Sequence, residues 1–131
     1  MRFRENRVLV TDDEEFCIAS MKAMISKVGL DVQNRLDVCF TGLQMINLVK
    51  QSYEIGITYK LIFTDISMPG MDGIEAVKQI RDHFKSKGIP REKQPYIIGV
   101  TGHCQDKFSV LGIKAGMDEV IAKPLYFKTM L

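Results

Sequence analysis

A chain of 131 residues has room for one domain with one hydrophobic core, and 46% hydrophobic with 26% charged residues is the balance of an ordinary water-soluble globular protein. A formal net charge of +2 is too small for a nucleic-acid or membrane-binding surface, and no apolar run approaches the roughly 20 residues that span a bilayer. The start, Met1-Arg-Phe-Arg-Glu-Asn-Arg7, lacks the apolar core of a signal peptide, and Cys17, Cys39 and Cys104 lack metal-ligand spacing, so reduced thiols and a cytoplasmic location are expected.

In chain order, Arg7–Thr11 is a nearly unbroken apolar run, the pattern of a strand covered on both faces. Cys17, Met21, Met24 and Val28 then recur at helical spacing. Asp31–Asn34 reads as a short second strand, followed by a helical stripe of Leu43, Met45, Ile46 and Val49. Lys60–Thr64 reads as the third strand. Asp72, with Glu75 three residues later, is a capping box opening a helix whose stripe is Ile74, Val77, Ile80 and Phe84. Lys85–Pro95 is polar, basic and rich in turn residues, and is expected to be a surface loop. Tyr96–Thr101 is the fourth strand, Phe108, Leu111, Gly112 and Ala115 outline a short helix, and Glu119–Lys123 is the fifth strand. A last helix begins after Pro124 and has about two turns before Leu131. Met130-Leu131 ends it without a glycine cap, which is the pattern of a chain cut at a domain border.

Strict alternation of strand and helix predicts an α/β fold with a parallel sheet and helices on both faces. Five units in this length fit the doubly wound order 2-1-3-4-5, with residues 1–131 as a single domain and the core starting at about residue 7. Ligands of such folds bind beyond the carboxyl ends of the strands. The first strand ends in Thr11-Asp12-Asp13-Glu14, the third in Asp65, the fourth in Thr101 and the fifth in Lys123-Pro124.

Neighbouring strands lie about 4.8 Å apart, so Asp13 and Asp65 can share one small cation. Three crowded carboxylates repel unless a cation is present. Hard oxygen ligands suit Mg²⁺ better than Zn²⁺, for which the sequence has no His/Cys set. Asp12, Asp13 and Asp65 are balanced in charge by Mg²⁺ and Lys123. Asp65 lies centrally and is the best nucleophile toward phosphorus, with the protein supplying alignment and charge neutralisation. Thr101 and Lys123 can reach the phosphoryl oxygens.

Taken together, Asp12-Asp13 after Val8-Leu9-Val10-Thr11, then Asp65-Ile-Ser-Met-Pro-Gly-Met-Asp-Gly73, then Val100-Thr101, then Lys123-Pro124, resemble the receiver domains of two-component response regulators, which have a flavodoxin-like fold. The resemblance runs from about Arg7 to the end. It implies Asp65 as the site that takes a phosphoryl group from a phosphohistidine donor, followed by a conformational switch. It implies Mg²⁺ held by Asp13, Asp65 and the Ser67 carbonyl, with Asp12 acting largely through water. Thr101 and Lys123 would contact the phosphoryl group, and Lys123–Pro124 would be a cis peptide. Such a protein catalyses its own phosphorylation and dephosphorylation and does not turn over small substrates.

The implied partners are a histidine kinase or a histidine-containing phosphotransfer protein. The long Lys85–Pro95 loop and the cut last helix further resemble receivers attached to hybrid histidine kinases, whose remainder would then be a partner too. Nothing after Lys123 resembles a DNA-binding module. Where the family often has an aromatic residue three before the lysine, this chain has Val120, so an aromatic switch is not expected. Gly102 is the usual small residue after the threonine, and His103, with Ser67, stands where the family tunes loss of the phosphoryl group. Two other readings are a Mg²⁺-dependent phosphohydrolase, with Asp13 as nucleophile and Glu15 as second acid, and a receiver-like docking module that is never phosphorylated.

Overall fold

Parallel strands and crossover helices alternate along the chain in the computed structural model, which describes residues 7–27, 35–57, 59–68, 70–102 and 106–122. The elements are β1 (Arg7–Thr11), α1 (Glu15–Lys27), β2 (Leu36–Cys39), α2 (Gly42–Glu54), β3 (Tyr59–Asp65), α3 (Gly73–Ser86), a 3-10 turn at Arg91–Lys93, β4 (Tyr96–Thr101), α4 (Asp106–Ala115) and β5 (Glu119–Ala122). The strands pair in the order β2-β1-β3-β4-β5, all parallel, as the alternation predicts.

The period of two along each strand divides the core into two layers. Leu9, Ile62 and Ile97 face one layer with Met45, Ile46 and Val49 of α2 and Ala76, Val77 and Ile80 of α3. Val8, Val10, Phe63 and Val100 face the other with Ile18, Met21 and Ile25 of α1. At α3 the Asp72 carboxylate accepts from the Glu75 N–H at 2.8 Å, the forward half of the expected capping box.

Three expectations need correction. The second strand is Leu36–Cys39, whereas Asp31–Asn34 lies outside the described residues. Its alternation is hidden by Asp37, which the strand tolerates because Arg7 of β1 and Tyr59 of β3 both donate to its carboxylate. Leu43 is 56% exposed, because the buried face of α2 runs through Gly42, Met45, Ile46, Val49 and Ser52. Leu111 is exposed too. There α4 approaches the core through Gly112, where a Cβ would stand 2.8 Å from Met117 Sδ and 2.9 Å from Val120 Cγ2. The helix expected after Pro124 lies outside the described residues.

The expected Lys85–Pro95 loop is shorter, because Lys85 and Ser86 close α3 and Arg91–Lys93 forms the 3-10 turn; what remains is mostly exposed and is anchored at its Gln94 end. Arg81 donates to Gln94 Oε1 at 2.8 Å and to the Gly116 carbonyl at 2.9 Å, and pairs with Asp118 at 3.0 Å. Burial pulls the Arg81 guanidinium down to about 10, helped by Arg91 and opposed by Asp118.

The Arg7–Asp37–Tyr59 cluster predicts a pH dependence of stability. Burial pushes the Asp37 carboxyl up, but hydrogen bonds from Arg7 and Tyr59 outweigh it and hold the group below the ordinary carboxylate range. A depressed folded-state value contributes stability present above the unfolded value and lost as pH falls through the folded one. The cluster is partly exposed, so Asp37→Asn is expected to cost about 1 kcal/mol near neutral pH. The deficit closes below about pH 4. Thermal unfolding of both proteins across that range measures it, and a deficit that persists in acid would refute the assignment.

Candidate functional site

The parallel register brings the carboxyl ends of four strands side by side. Thr11 of β1 pairs with Thr64 of β3, Asp65 with Val100 of β4, and Thr101 with Ala122 of β5. Just beyond β1 the chain turns into α1, and Asp12 is fixed there through both its backbone and its side chain. Its N–H donates to the Cys39 carbonyl at 3.2 Å, and its Oδ1 accepts from the Glu14 N–H at 3.0 Å.

Asp12 is 0% exposed, Asp65 5% and Thr101 4%, while Asp13 reaches solvent. One carboxylate oxygen from each of Asp12, Asp13 and Asp65 lies within 4.8 Å of the others. Ligand oxygens around an octahedral Mg²⁺, each at about 2.1 Å, stand about 3–4 Å apart. The donor set therefore fits Mg²⁺: hard, anionic, and partly enclosed where like charges otherwise repel. A second group with atoms as close is Asp12, Glu14 and Cys17, and neither group includes Glu15, the second acid of the phosphohydrolase reading.

The loop after Asp65 is closed on itself. The Ile66 N–H donates to the Val100 carbonyl at 2.9 Å, and the Ile66 carbonyl accepts from the Gly73 N–H at 2.9 Å. Ile66 and Met68 of this loop are buried, and Ser67 between them, two residues after Asp65, is exposed. Gly70 takes a left-handed φ of 79°, which turns the loop back toward α3. Gly73 was legible in the sequence only as part of a motif. The structure gives its reason: a Cβ there would collide with the Asp65 carbonyl oxygen and stand 3.1 Å from Asp65 C.

Of the other expected site residues, Gly102 is exposed at the end of β4. Val120 is half-buried, packs against the larger core layer and pairs in register with Gly99. Lys123, His103 and Pro124 lie outside the described residues. Glu14, to which the sequence reading gave no role, belongs to the carboxylate set around Asp12. Burial pushes the Cys39 thiol up to about 11, which keeps it protonated. Among the described residues no helix is long and apolar enough to cross a membrane.

Comparison with known proteins agrees with this geometry. The family model described as response regulator receiver domain matches residues 8–131. Hybrid signal transduction histidine kinase L of Dictyostelium discoideum is 34% identical over 119 residues, covering 91% of this chain, which spans only 6% of that protein. The receiver domain of the histidine kinase CKI1 from Arabidopsis thaliana, solved with Mg²⁺, is 30% identical with a TM-score of 0.74, over 95% of this chain and 88% of that one. The receiver domain of Ssk1 from Saccharomyces cerevisiae, solved with the histidine phosphotransfer protein Ypd1, is 25% identical with a TM-score of 0.76, over 96% and 83% of the two chains. With a doubly wound sheet, acids gathered at its carboxyl edge and a family match over nearly its whole length, the chain belongs to the response regulator receiver domains.

Proposed function

We propose that this receiver domain, acting as a single unit, accepts a phosphoryl group on Asp65 from a phosphohistidine donor. The observation that carries the reading is the gathering of the Asp12, Asp13 and Asp65 carboxylates, with a buried hydroxyl at the end of the adjoining strand. Asp12, Asp13, Asp65 and the Ser67 carbonyl would hold Mg²⁺, which when bound neutralises charge on the acids and the incoming phosphoryl oxygens. Asp65 is only 5% exposed, so little of its carboxylate is open to solvent beside the other two acids. One of its oxygens attacks phosphorus as the phosphorus–imidazole nitrogen bond breaks. The imidazole keeps that electron pair and later takes a proton from water. Thr101 donates its hydroxyl to a phosphoryl oxygen, and Lys123 contributes a second donor and a positive charge. The new charge at Asp65 then draws Thr101 inward and biases the face around α4 and β5.

The similarity to a receiver solved with a phosphotransfer protein favours the same class of donor here. Phe16, at the start of α1, is 71% exposed beside the acidic strand end, a placement that favours contact with a protein donor.

The test is labelling by a phosphorylated phosphotransfer protein or by acetyl phosphate with Mg²⁺, read by intact mass. One acid-stable, base-labile adduct per chain is expected, with none after chelation of the metal. No adduct from either donor would overturn the reading. Phe16→Ala is expected to slow transfer from the protein donor about fivefold or more and to leave labelling by acetyl phosphate unchanged. Equal slowing with both donors would remove Phe16 from the docking surface.

A further inference from the structure

We propose that Glu14 is a specificity-determining residue of this site, a fourth carboxylate that tightens the hold on Mg²⁺ and slows anionic phosphoryl donors, and that Cys17 is the positioning residue that keeps it there. This rests on the reading of Asp12, Asp13 and Asp65 as the Mg²⁺ site.

Asp12 is the corner shared by two groups of ligating atoms, Asp12–Asp13–Asp65 on one side and Asp12–Glu14–Cys17 on the other. The position of Glu14 is set by its backbone. Its N–H donates to Asp12 Oδ1 at 3.0 Å, and its carbonyl accepts from the Ile18 N–H at 3.1 Å as α1 begins. The Glu14 side chain is exposed, and an exposed glutamate ordinarily samples many rotamers in water. Here the Cys17 thiol, one helical turn on and buried, donates to Glu14 Oε1 at 3.3 Å. A thiol is a weak donor, but this one comes from a side chain packed in place, and it holds the carboxylate on the Asp12 side.

The charge balance changes accordingly. Three acids with Mg²⁺ already leave these described groups net negative, and the fourth makes the resting site more negative still. A fixed charge outside the ligand shell attracts a dication without displacing its waters, and repels an anionic donor. A glutamate at a helix N-terminus also favours the helix dipole. That role alone would change stability and leave metal affinity untouched.

The test uses the whole chain at low salt. Mg²⁺ binding is measured by calorimetry, and labelling by acetyl phosphate is measured at saturating Mg²⁺. Glu14→Gln is expected to weaken Mg²⁺ binding about three- to tenfold and to speed labelling about two- to threefold, both effects shrinking as salt is added. Cys17→Ala is expected to reproduce part of both changes, Cys17→Ser to restore them, and Cys17→Ala to add nothing in the Glu14→Gln background. Unchanged Mg²⁺ affinity in Glu14→Gln overturns the proposal, whatever happens to stability. A Glu14→Gln effect with Cys17→Ala equal to wild type overturns the part given to Cys17. A wild-type chain that binds no Mg²⁺ and takes no label overturns instead the reading of the three aspartates.

Discussion

Asp65→Asn is expected to abolish phosphoryl uptake, a loss beyond about 10³-fold in labelling rate, while leaving the fold intact. The substitution keeps the shape of a buried side chain and replaces an anionic oxygen with a neutral amide, which is a far weaker nucleophile toward phosphorus. A loss of that size corresponds to about 4 kcal/mol of transition-state stabilisation. Stability should move the other way when metal is absent. Asp65 shares its end of the sheet with Asp12 and Asp13, all within 4.8 Å, so removing one negative charge relieves repulsion on the order of 1 kcal/mol. In the presence of Mg²⁺ the order reverses, because the wild type gains binding free energy that the variant forgoes. Intact mass after acetyl phosphate treatment measures the first effect, and thermal unfolding with and without Mg²⁺ the second. An adduct that survives in Asp65→Asn would remove Asp65 as the acceptor.

The parts of the fold that were legible are those in which neighbouring residues carry the whole signal. β1 and β4 were bounded correctly because Val8-Leu9-Val10 and Ile97-Ile98-Gly99-Val100 are apolar toward both faces. β2 was misplaced because Asp37 breaks its pattern, and the partners that make it tolerable, Arg7 and Tyr59, come from two other strands. Periodicity located α2 and α4 but could not say which edge of each stripe is buried. That depends on close approaches, of Gly42 to Met71 and Ala76 and of Gly112 to Met117 and Val120, which only the packed helices reveal. At the site, Asp12, Asp13, Asp65 and Thr101 were legible because topology alone puts strand ends together. Glu14 was not, since i, i+3 spacing permits a contact with Cys17 but does not say that a buried thiol will hold this carboxylate beside Asp12.

Gly73→Ala is expected to damage both stability and the site, although alanine is ordinarily the better helix former. Gly73 opens α3, and its N–H donates to the Ile66 carbonyl at 2.9 Å, so the helix end sits directly on the strand that carries Asp65. An added Cβ would overlap the Asp65 carbonyl oxygen and lie 3.2 Å from Ile66 Cα. Those neighbours are backbone, and no rotamer change can relieve the overlap. Either α3 retreats from the sheet, opening the layer in which Ala76, Val77 and Ile80 are buried, or the end of β3 shifts and takes the Asp65 carboxylate with it. The first route is overpacking of a closed core, costing about 2–3 kcal/mol and lowering Tm on the order of 5–10 °C. The second moves a nucleophile whose alignment must hold to a fraction of an ångström, and is expected to slow labelling more than about tenfold. Gly102 gives the contrast: a Cβ there meets no described atom within 4 Å, so Gly102→Ala is expected to leave Tm unchanged. Thermal unfolding and acetyl phosphate labelling of the two variants separate the cases. A Gly73→Ala protein with wild-type Tm and wild-type labelling would mean that α3 does not press on the acceptor strand.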